Sequence, residues 1–188
     1  MHELIFDKEN HLYYWEGRLV PSVTEILKKS GIIDDRFFKP GSAEKGTRIH
    51  ELCEQIAKRE EPDEENGYTK AFRKFLEDTK IEPAEVETSY YSELDFAGTM
   101  DIIALFRGEL VIIDIKTGAY QEWWPLQLAG YSMLIGNNDI RRFSLEIKNT
   151  EKYKFTEYKN REEDAAGFMS ALETYNQLYR GGFIADFC

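Results

Sequence analysis

The chain has 188 residues, 42% apolar and 14% aromatic, so a packed core burying roughly 70% of the unfolded surface is expected. No apolar run approaches the roughly 20 residues of a membrane helix, and two cysteines, Cys53 and Cys188, make no disulfide framework. The net charge of −11 lacks the basic footprint of most nucleic-acid binders.

In chain order, Leu4-Ile5-Phe6 and His11-Leu12-Tyr13-Tyr14-Trp15 predict a hairpin, followed by a short strand at Arg18-Leu19-Val20. Met1-His2-Glu3 opens directly into this segment, so no signal peptide is expected and the cytoplasm is the expected compartment. Ser22 is placed to cap a helix running to about Lys29, with Glu25 as its capping-box partner and a stop at Ser30-Gly31. Residues 32–42 read as loop. Ser42 then caps a helix over roughly 43–60 with Ile49, Leu52, Cys53 and Ile56 as its apolar stripe and His50 at the stripe's edge. Cys53 on that stripe reads as a buried thiol.

Residues 60–67 read as an acidic exposed loop. Tyr68 to about Thr79 reads as a helix with Phe72, Phe75 and Leu76 inward. Strands are expected over Glu85–Glu93, then in two apolar runs described below. Trp123-Trp124-Pro125 leads into a helix over about 125–135, ended by Gly136-Asn137-Asn138. Phe143–Lys148 and Lys152–Tyr158 predict another hairpin. A closing helix is expected over Glu162–Tyr179, ended by Gly181-Gly182. The basic clusters (Lys28-Lys29; Lys39, Lys45 and Arg48; Lys70, Arg73 and Lys74; Arg141-Arg142) each read as solvated faces. There are no repeats or convincing linkers, so residues 1–188 are expected to form one domain, with residues 1–40 as an accessory hairpin and helix. The order of elements predicts an α/β fold, a mixed sheet with helices on both faces.

The chemistry starts in the two apolar runs, 98–106 and 109–118. If Arg107-Gly108 is a two-residue turn, Phe106 pairs with Glu109 and Asp101 falls opposite Asp114. Opposed side chains have Cβ atoms about 5 Å apart, and like charges there repel. A three-residue loop would instead shift the register by one, and a hairpin with solvated ends would leave the carboxylates in water. The apolar runs argue for burial, where an unpaired charge is costly and a bound cation removes the conflict. Side chains two apart share a face, so Lys116 joins Asp114 there. Hard carboxylate oxygens suit Mg²⁺ or Mn²⁺ rather than zinc. Such an ion polarises a phosphoryl oxygen and lowers the pKa of bound water. Lys116 would orient that water or stabilise developing negative charge. The sum is metal-dependent phosphodiester hydrolysis. For a protein that holds cations, a negative net charge is a weak argument against nucleic acid.

Asp101 followed by Asp114-Ile115-Lys116 resembles the PD-(D/E)XK nuclease superfamily. Gly46-Thr47-Arg48-Ile49-His50, Gly98-Thr99-Met100-Asp101, Asp114-Ile115-Lys116-Thr117-Gly118 and Gln127-Leu128-Ala129-Gly130-Tyr131 are similar, in order, to motifs of its RecB-type exonuclease branch. Val20-Pro21-Ser22-Val23-Thr24-Glu25-Ile26-Leu27 is similar to the opening of phage-type members. The resemblance covers roughly residues 10–135 and implies a restriction-endonuclease-like core. It implies metal ligation by Asp101, Asp114, the Ile115 carbonyl and His50, with Glu87 a further candidate. Lys116 would be the catalytic lysine, with Gln127 and Tyr131 facing the site to contact DNA or Lys116. Thr117 is a candidate phosphate contact. Trp123 and Trp124 either stack on unpaired bases or, the more frequent use, fill the core.

Two cysteines cannot hold the four-cysteine iron–sulfur cluster of one branch, so none is expected. No P-loop is present, so a helicase or recombination annealing partner would be a separate protein. The leading reading is a stand-alone DNA exonuclease of recombination, repair or phage DNA metabolism, using one or two Mg²⁺ or Mn²⁺ ions. The alternatives are an endonuclease or junction resolvase on the same fold, a non-catalytic nucleic-acid-binding subunit, or an acidic metal-binding protein. A homo-oligomeric ring would follow by analogy with phage exonucleases; no residue demands it.

Overall fold

The structure, a computed structural model, describes residues 3–34 and 41–181, with the backbone alone for Ser42 and Ala43. Residues 35–40, including Lys39, and Gly182 and Cys188 lie outside the described residues. Three short strands, β1 (Leu4–Asp7), β2 (Leu12–Trp15) and β3 (Arg18–Val20), form an antiparallel sheet in the order β1-β2-β3. Helices α1 (Val23–Lys29), α2 (Ser42–Ala57) and α3 (Gly67–Thr79) follow, then strands β4 (Glu82–Ser92), β5 (Phe96–Phe106) and β6 (Glu109–Lys116). The chain continues as α4 (Trp124–Leu134), β7 (Arg141–Ile147), β8 (Tyr153–Tyr158) and α5 (Arg161–Tyr179).

The larger sheet has the order β4-β5-β6-β7-β8. Its pairs are antiparallel except β6 with β7, which run parallel. A parallel pair needs a crossover, and α4 provides it. Alternation along the strands divides the core. On one face Ile102, Ala104, Val111 and Ile113 pack under Ile49, Cys53 and Ile56 of α2 and Phe72 and Phe75 of α3. On the other, Ile103 and Ile112 pack under α1, α4 and α5 through Val23, Ile26, Leu128 and Phe168. The expected mixed sheet with helices on both faces is therefore present. Cys53 is a free, fully buried thiol within the first layer.

Local signals explain most boundaries. The Ser22 side chain accepts the Glu25 amide at 3.0 Å, as expected of an N-cap. Asn66 caps α3 one residue earlier than expected, in a capping box with Thr69. Two helix calls need correction. Ser42 is the first residue of α2 and Gly41, at φ 75°, occupies the capping position; the helix stops at Ala57, short of residue 60. Strand β4 begins at Glu82 rather than Glu85, because its ladder resumes across a bulge between Pro83 and Glu85.

The basic clusters do not all face solvent unpaired. Arg48 meets Glu51 and Asp63, Lys70 meets Glu151, and Arg73 meets Glu61 and Glu65 of the acidic loop. Arg142 departs further from its expected place. Period-two alternation turns it inward, where it is 1% exposed and pairs with Asp164 of α5 at 2.8 Å.

Candidate active site

The hairpin register is the two-residue one. Phe106 pairs with Glu109 and Ile102 with Ile113. Arg107 and Gly108 have φ of 55° and 85°, as a type I′ turn requires. Asp101 and Asp114 occupy the next opposed positions, and there the regular pairing lapses on both sides of Asp101. The β5–β6 ladder ends one residue short of it, and the β4–β5 ladder passes from Val86–Ile102 to Thr88–Met100. The backbone gap is filled by the side chain: the Ile115 amide donates to Asp101 Oδ2 at 2.6 Å. Glu87, opposite Asp101 on β4, has a left-handed backbone with φ 51°. For a glutamate inside a strand that conformation costs about 1–3 kcal/mol.

Three elements meet at this gap. Helix α2 brings His50, whose Nδ1 lies 3.2 Å from Asp101 Oδ1. Ligand atoms of His50, Glu87 and Asp101 all lie within 4.8 Å of one another. Asp114 stands apart from that cluster. Its Oδ2 is buried without an aligned hydrogen bond, and the Lys116 ammonium sits 2.6 Å away as an ion-pair partner. Helix α4 brings Gln127 and Tyr131, one turn apart. Lys116 Nζ donates to Gln127 Oε1 at 2.6 Å, and Gln127 Nε2 donates to the Tyr131 hydroxyl at 2.9 Å. Thus the structure gathers His50, Glu87 and Asp101 in one group and Asp114, Lys116, Gln127 and Tyr131 in an adjoining one. Ile115 takes part through its amide. Thr117 lies beneath α2, its Oγ1 4.0 Å from where a Cβ on Gly46 would stand.

Charge is distributed unevenly across the two groups. Burial alone would lower the His50 imidazolium's pKa, but Asp101, Asp114 and Glu87 outweigh it and raise the value to about 9. Burial likewise pushes Asp101 up, yet His50, the Ile115 amide and Lys116 hold it below the ordinary aspartate value. Asp114 goes the other way. Burial raises it to about 6 against the pull of Lys116, with Asp101 adding repulsion. Glu87 rises to about 7 through burial and the neighbouring Asp101 charge, with His50 opposing. This crowd of carboxylates fits a hard divalent cation: oxygen donors dominate, one imidazole joins them, and a buried Asp114 oxygen is left without an aligned donor.

Sequence reasoning missed two contributors. Thr24 of α1 accepts a longer 3.4 Å contact from Gln127 Nε2, so the first helix reaches the site. Its signal was present in the 20–27 stretch, where Thr24 follows the Ser22 cap. The second is the aromatic bed of the lysine: Lys116 Nζ lies 4.9 Å from the Trp123 ring centre and 5.5 Å from that of Trp124, within range of a cation–π interaction. Trp124 is 2% exposed and belongs to the interior, while Trp123 is half-buried against the second core layer.

A mixed sheet whose central hairpin ends in two carboxylates and a lysine, flanked by a histidine from one helix and a Gln–Tyr pair from another, defines a nuclease-type core. The chain belongs to the PD-(D/E)XK nuclease superfamily, whose family model matches residues 67–186. Mitochondrial genome maintenance exonuclease 1 of Xenopus tropicalis is 25% identical over 159 residues, covering 67% of this chain and 46% of the relative. The chain thus spans about half the length of that curated relative. Among solved structures, SSO0001 is similar with a TM-score of 0.44 and 14% identity, covering 80% of this chain and 73% of its own. The alkaline exonuclease LHK-Exo from Laribacter hongkongensis is similar with a TM-score of 0.42 and 12% identity, covering 85% of this chain and 91% of its own.

Proposed function

We propose that the protein is a DNA exonuclease of the RecB-type branch, dependent on Mg²⁺ or Mn²⁺, that hydrolyses phosphodiester bonds from DNA ends. The observation that carries this reading is the juxtaposition of the His50–Glu87–Asp101 cluster with the buried Asp114–Lys116 pair at one end of the β5–β6 hairpin. The curated relative is itself described as an exonuclease, which supports the choice of exonuclease over endonuclease.

In this reading His50, Glu87, Asp101 and Asp114, with the Ile115 carbonyl, would hold the cation. When bound, it would polarise a phosphoryl oxygen and make a hydroxide available near neutral pH. The remaining work falls to the chain's own groups. Lys116 carries a fixed positive charge to where the pentacoordinate phosphate gains negative charge. Gln127 and Asp114 hold that ammonium in place, so it needs no reorganisation during reaction. Tyr131 and Thr24 hold the Gln127 amide in turn. The apolar layers beneath keep bulk water from competing for the lysine.

The test is direct. Purified protein is incubated with end-labelled linear DNA and with covalently closed circles, in Mg²⁺, Mn²⁺ or EDTA, beside Asp114→Ala and Lys116→Ala. The reading expects metal-dependent loss of linear DNA alone, and neither variant active. Cleavage of closed circles would indicate an endonuclease, and undiminished activity in both variants would overturn the site.

A further inference from the structure

The loop joining β6 to α4 carries an aromatic ring that the packing around Lys116 does not consume. Trp124 is buried, and Trp123 lies beneath the Lys116 ammonium and against the core. Tyr120 is different: it is 51% exposed, and its ring meets Trp124 nearly at right angles, 74°, with centroids 5.3 Å apart. A perpendicular contact with a buried ring holds one edge of Tyr120 while leaving about half of its surface open. Upstream the loop is tied down as well, since Lys148 Nζ donates to the Gly118 carbonyl at 2.7 Å.

We propose that Tyr120 is a stacking platform for an unpaired base of the strand being cut, making single-stranded or frayed DNA ends the preferred substrate class. This rests on the nuclease reading of the Lys116 site and extends it to the choice of substrate. The distance is suitable. Trp124 lies 5.5 Å from Lys116 Nζ and 5.3 Å from Tyr120. At most about 11 Å therefore separates the ammonium from the tyrosine ring, at most about three nucleotides of a strand that keeps the helical spacing of about 3.4 Å.

The electrostatics favour such a device. The net charge is −11, and Arg48, Lys70, Arg73, Arg141 and Lys154 are engaged by carboxylates of the same chain. A strand held weakly through its phosphates gains from stacking, which needs no basic track and tolerates any base. Stacking also selects: a base in a duplex must be unpaired and unstacked before a protein ring can receive it, and that cost is least for a base already single-stranded.

The experiment compares wild type, Tyr120→Phe and Tyr120→Ala on single-stranded and blunt duplex oligonucleotides with Mg²⁺ or Mn²⁺. A second set of single strands carries one abasic position, moved stepwise through the first four nucleotides from the cleaved end. Tyr120→Ala should raise KM on single strands roughly 5- to 150-fold, the loss expected of one base–aromatic stack, with kcat and the melting temperature little changed. Tyr120→Phe should resemble wild type. One abasic position should reproduce the loss in wild type and add nothing in Tyr120→Ala. The proposal is overturned if wild type cleaves DNA and Tyr120→Ala matches it on single strands, if single strands and duplex lose equally, or if the abasic and alanine losses add. Failure of wild type to cleave any DNA would instead bring down the nuclease reading, and this proposal with it.

Discussion

Glu87 stands opposite Asp101 across the β4–β5 ladder with its backbone turned to a φ of 51°, in a gap where neither strand pairs regularly. The two carboxylates and His50 converge there, and the repulsion between them is built into the fold. Burial and Asp101 raise Glu87 from 4.5 to about 7. A carboxyl raised by folding is destabilising once ionised, so its penalty is absent below about pH 4.5 and complete above about pH 7. Glu87→Gln should therefore stabilise the protein in EDTA at pH 8 by roughly 2–4 kcal/mol, at 1.36 kcal/mol per pKa unit. That gain should shrink to nothing near pH 4.5. The same variant should lose part of the thermal shift that Mn²⁺ gives wild type. Melting curves from pH 4.5 to 8, with EDTA and with Mn²⁺, check both; a gain independent of pH would refute the electrostatic account.

Lys116 reaches Gln127 at 2.6 Å, and Gln127 reaches Tyr131 at 2.9 Å. A hydrogen bond to a charged group contributes about 1.5–3 kcal/mol. If that bond matters mainly in the transition state, Gln127→Ala should lower kcat roughly 10- to 150-fold with KM nearly unchanged. Tyr131→Phe, which removes an acceptor one step further out, should cost only a few-fold. Steady-state kinetics on one linear substrate decide the matter. Equal losses in the two variants would mean that both act on the substrate directly.

Much of this site could be read from residue order because its parts follow simple periods. Arg107-Gly108 sets a two-residue turn, and the turn sets the Asp101–Asp114 opposition; a spacing of two places Lys116 beside Asp114; a spacing of four places Tyr131 behind Gln127. Glu87 was harder to place. Its strand position is readable, but the left-handed backbone that accompanies its place beside Asp101 arises from packing between strands. Arg142 stands beside Arg141 in a basic pair, a pattern that reads as a solvated face. Alternation sends adjacent residues of β7 to opposite faces, both covered by helices, yet the Arg142 partner Asp164 lies 22 positions away and no local pattern points to it. Thr24 reaches Gln127 across 103 positions, again a relationship that exists only once α1 has packed on α4.

The Arg142–Asp164 pair gives a stability prediction that is independent of catalysis. Arg142 is 1% exposed, and its Nε has no hydrogen-bond partner. Burial lowers its pKa against the pull of Asp164. Removing one member of a buried pair leaves an uncompensated charge and costs about 3–5 kcal/mol. Arg142→Leu alone should lose about that much in urea unfolding. Adding Asp164→Leu should recover most of it, because two apolar side chains suit the layer between β7 and α5. A double variant as unstable as the single one would place the cost in packing rather than charge.

Asp95, in the turn between β4 and β5, joins distant parts of the chain. Arg18 of β3 donates to its Oδ2 at 2.7 Å, Arg180 lies 2.8 Å from the same oxygen, and Tyr91 donates to Oδ1 at 2.9 Å. Burial pushes the Asp95 carboxyl up, but Arg18, Tyr91 and Arg180 together outweigh burial and hold it below the ordinary aspartate value. A lowered carboxyl pKa contributes stability above the unfolded value, near pH 4, and loses it as the pH falls through the native value. Arg18 is 56% exposed at its side chain, so solvent screening keeps the contribution to about 1 kcal/mol or less. Asp95→Asn should therefore unfold at lower urea than wild type at pH 7, and the gap should shrink as the pH falls below about 4 through the lowered native value. Limited proteolysis at pH 7 should cut the variant faster within residues 3–20, since Arg18 would lose its charged anchor to the β4–β5 turn. If the urea gap persists unchanged at low pH, hydrogen-bond geometry at the turn, and not charge, is what Asp95 contributes.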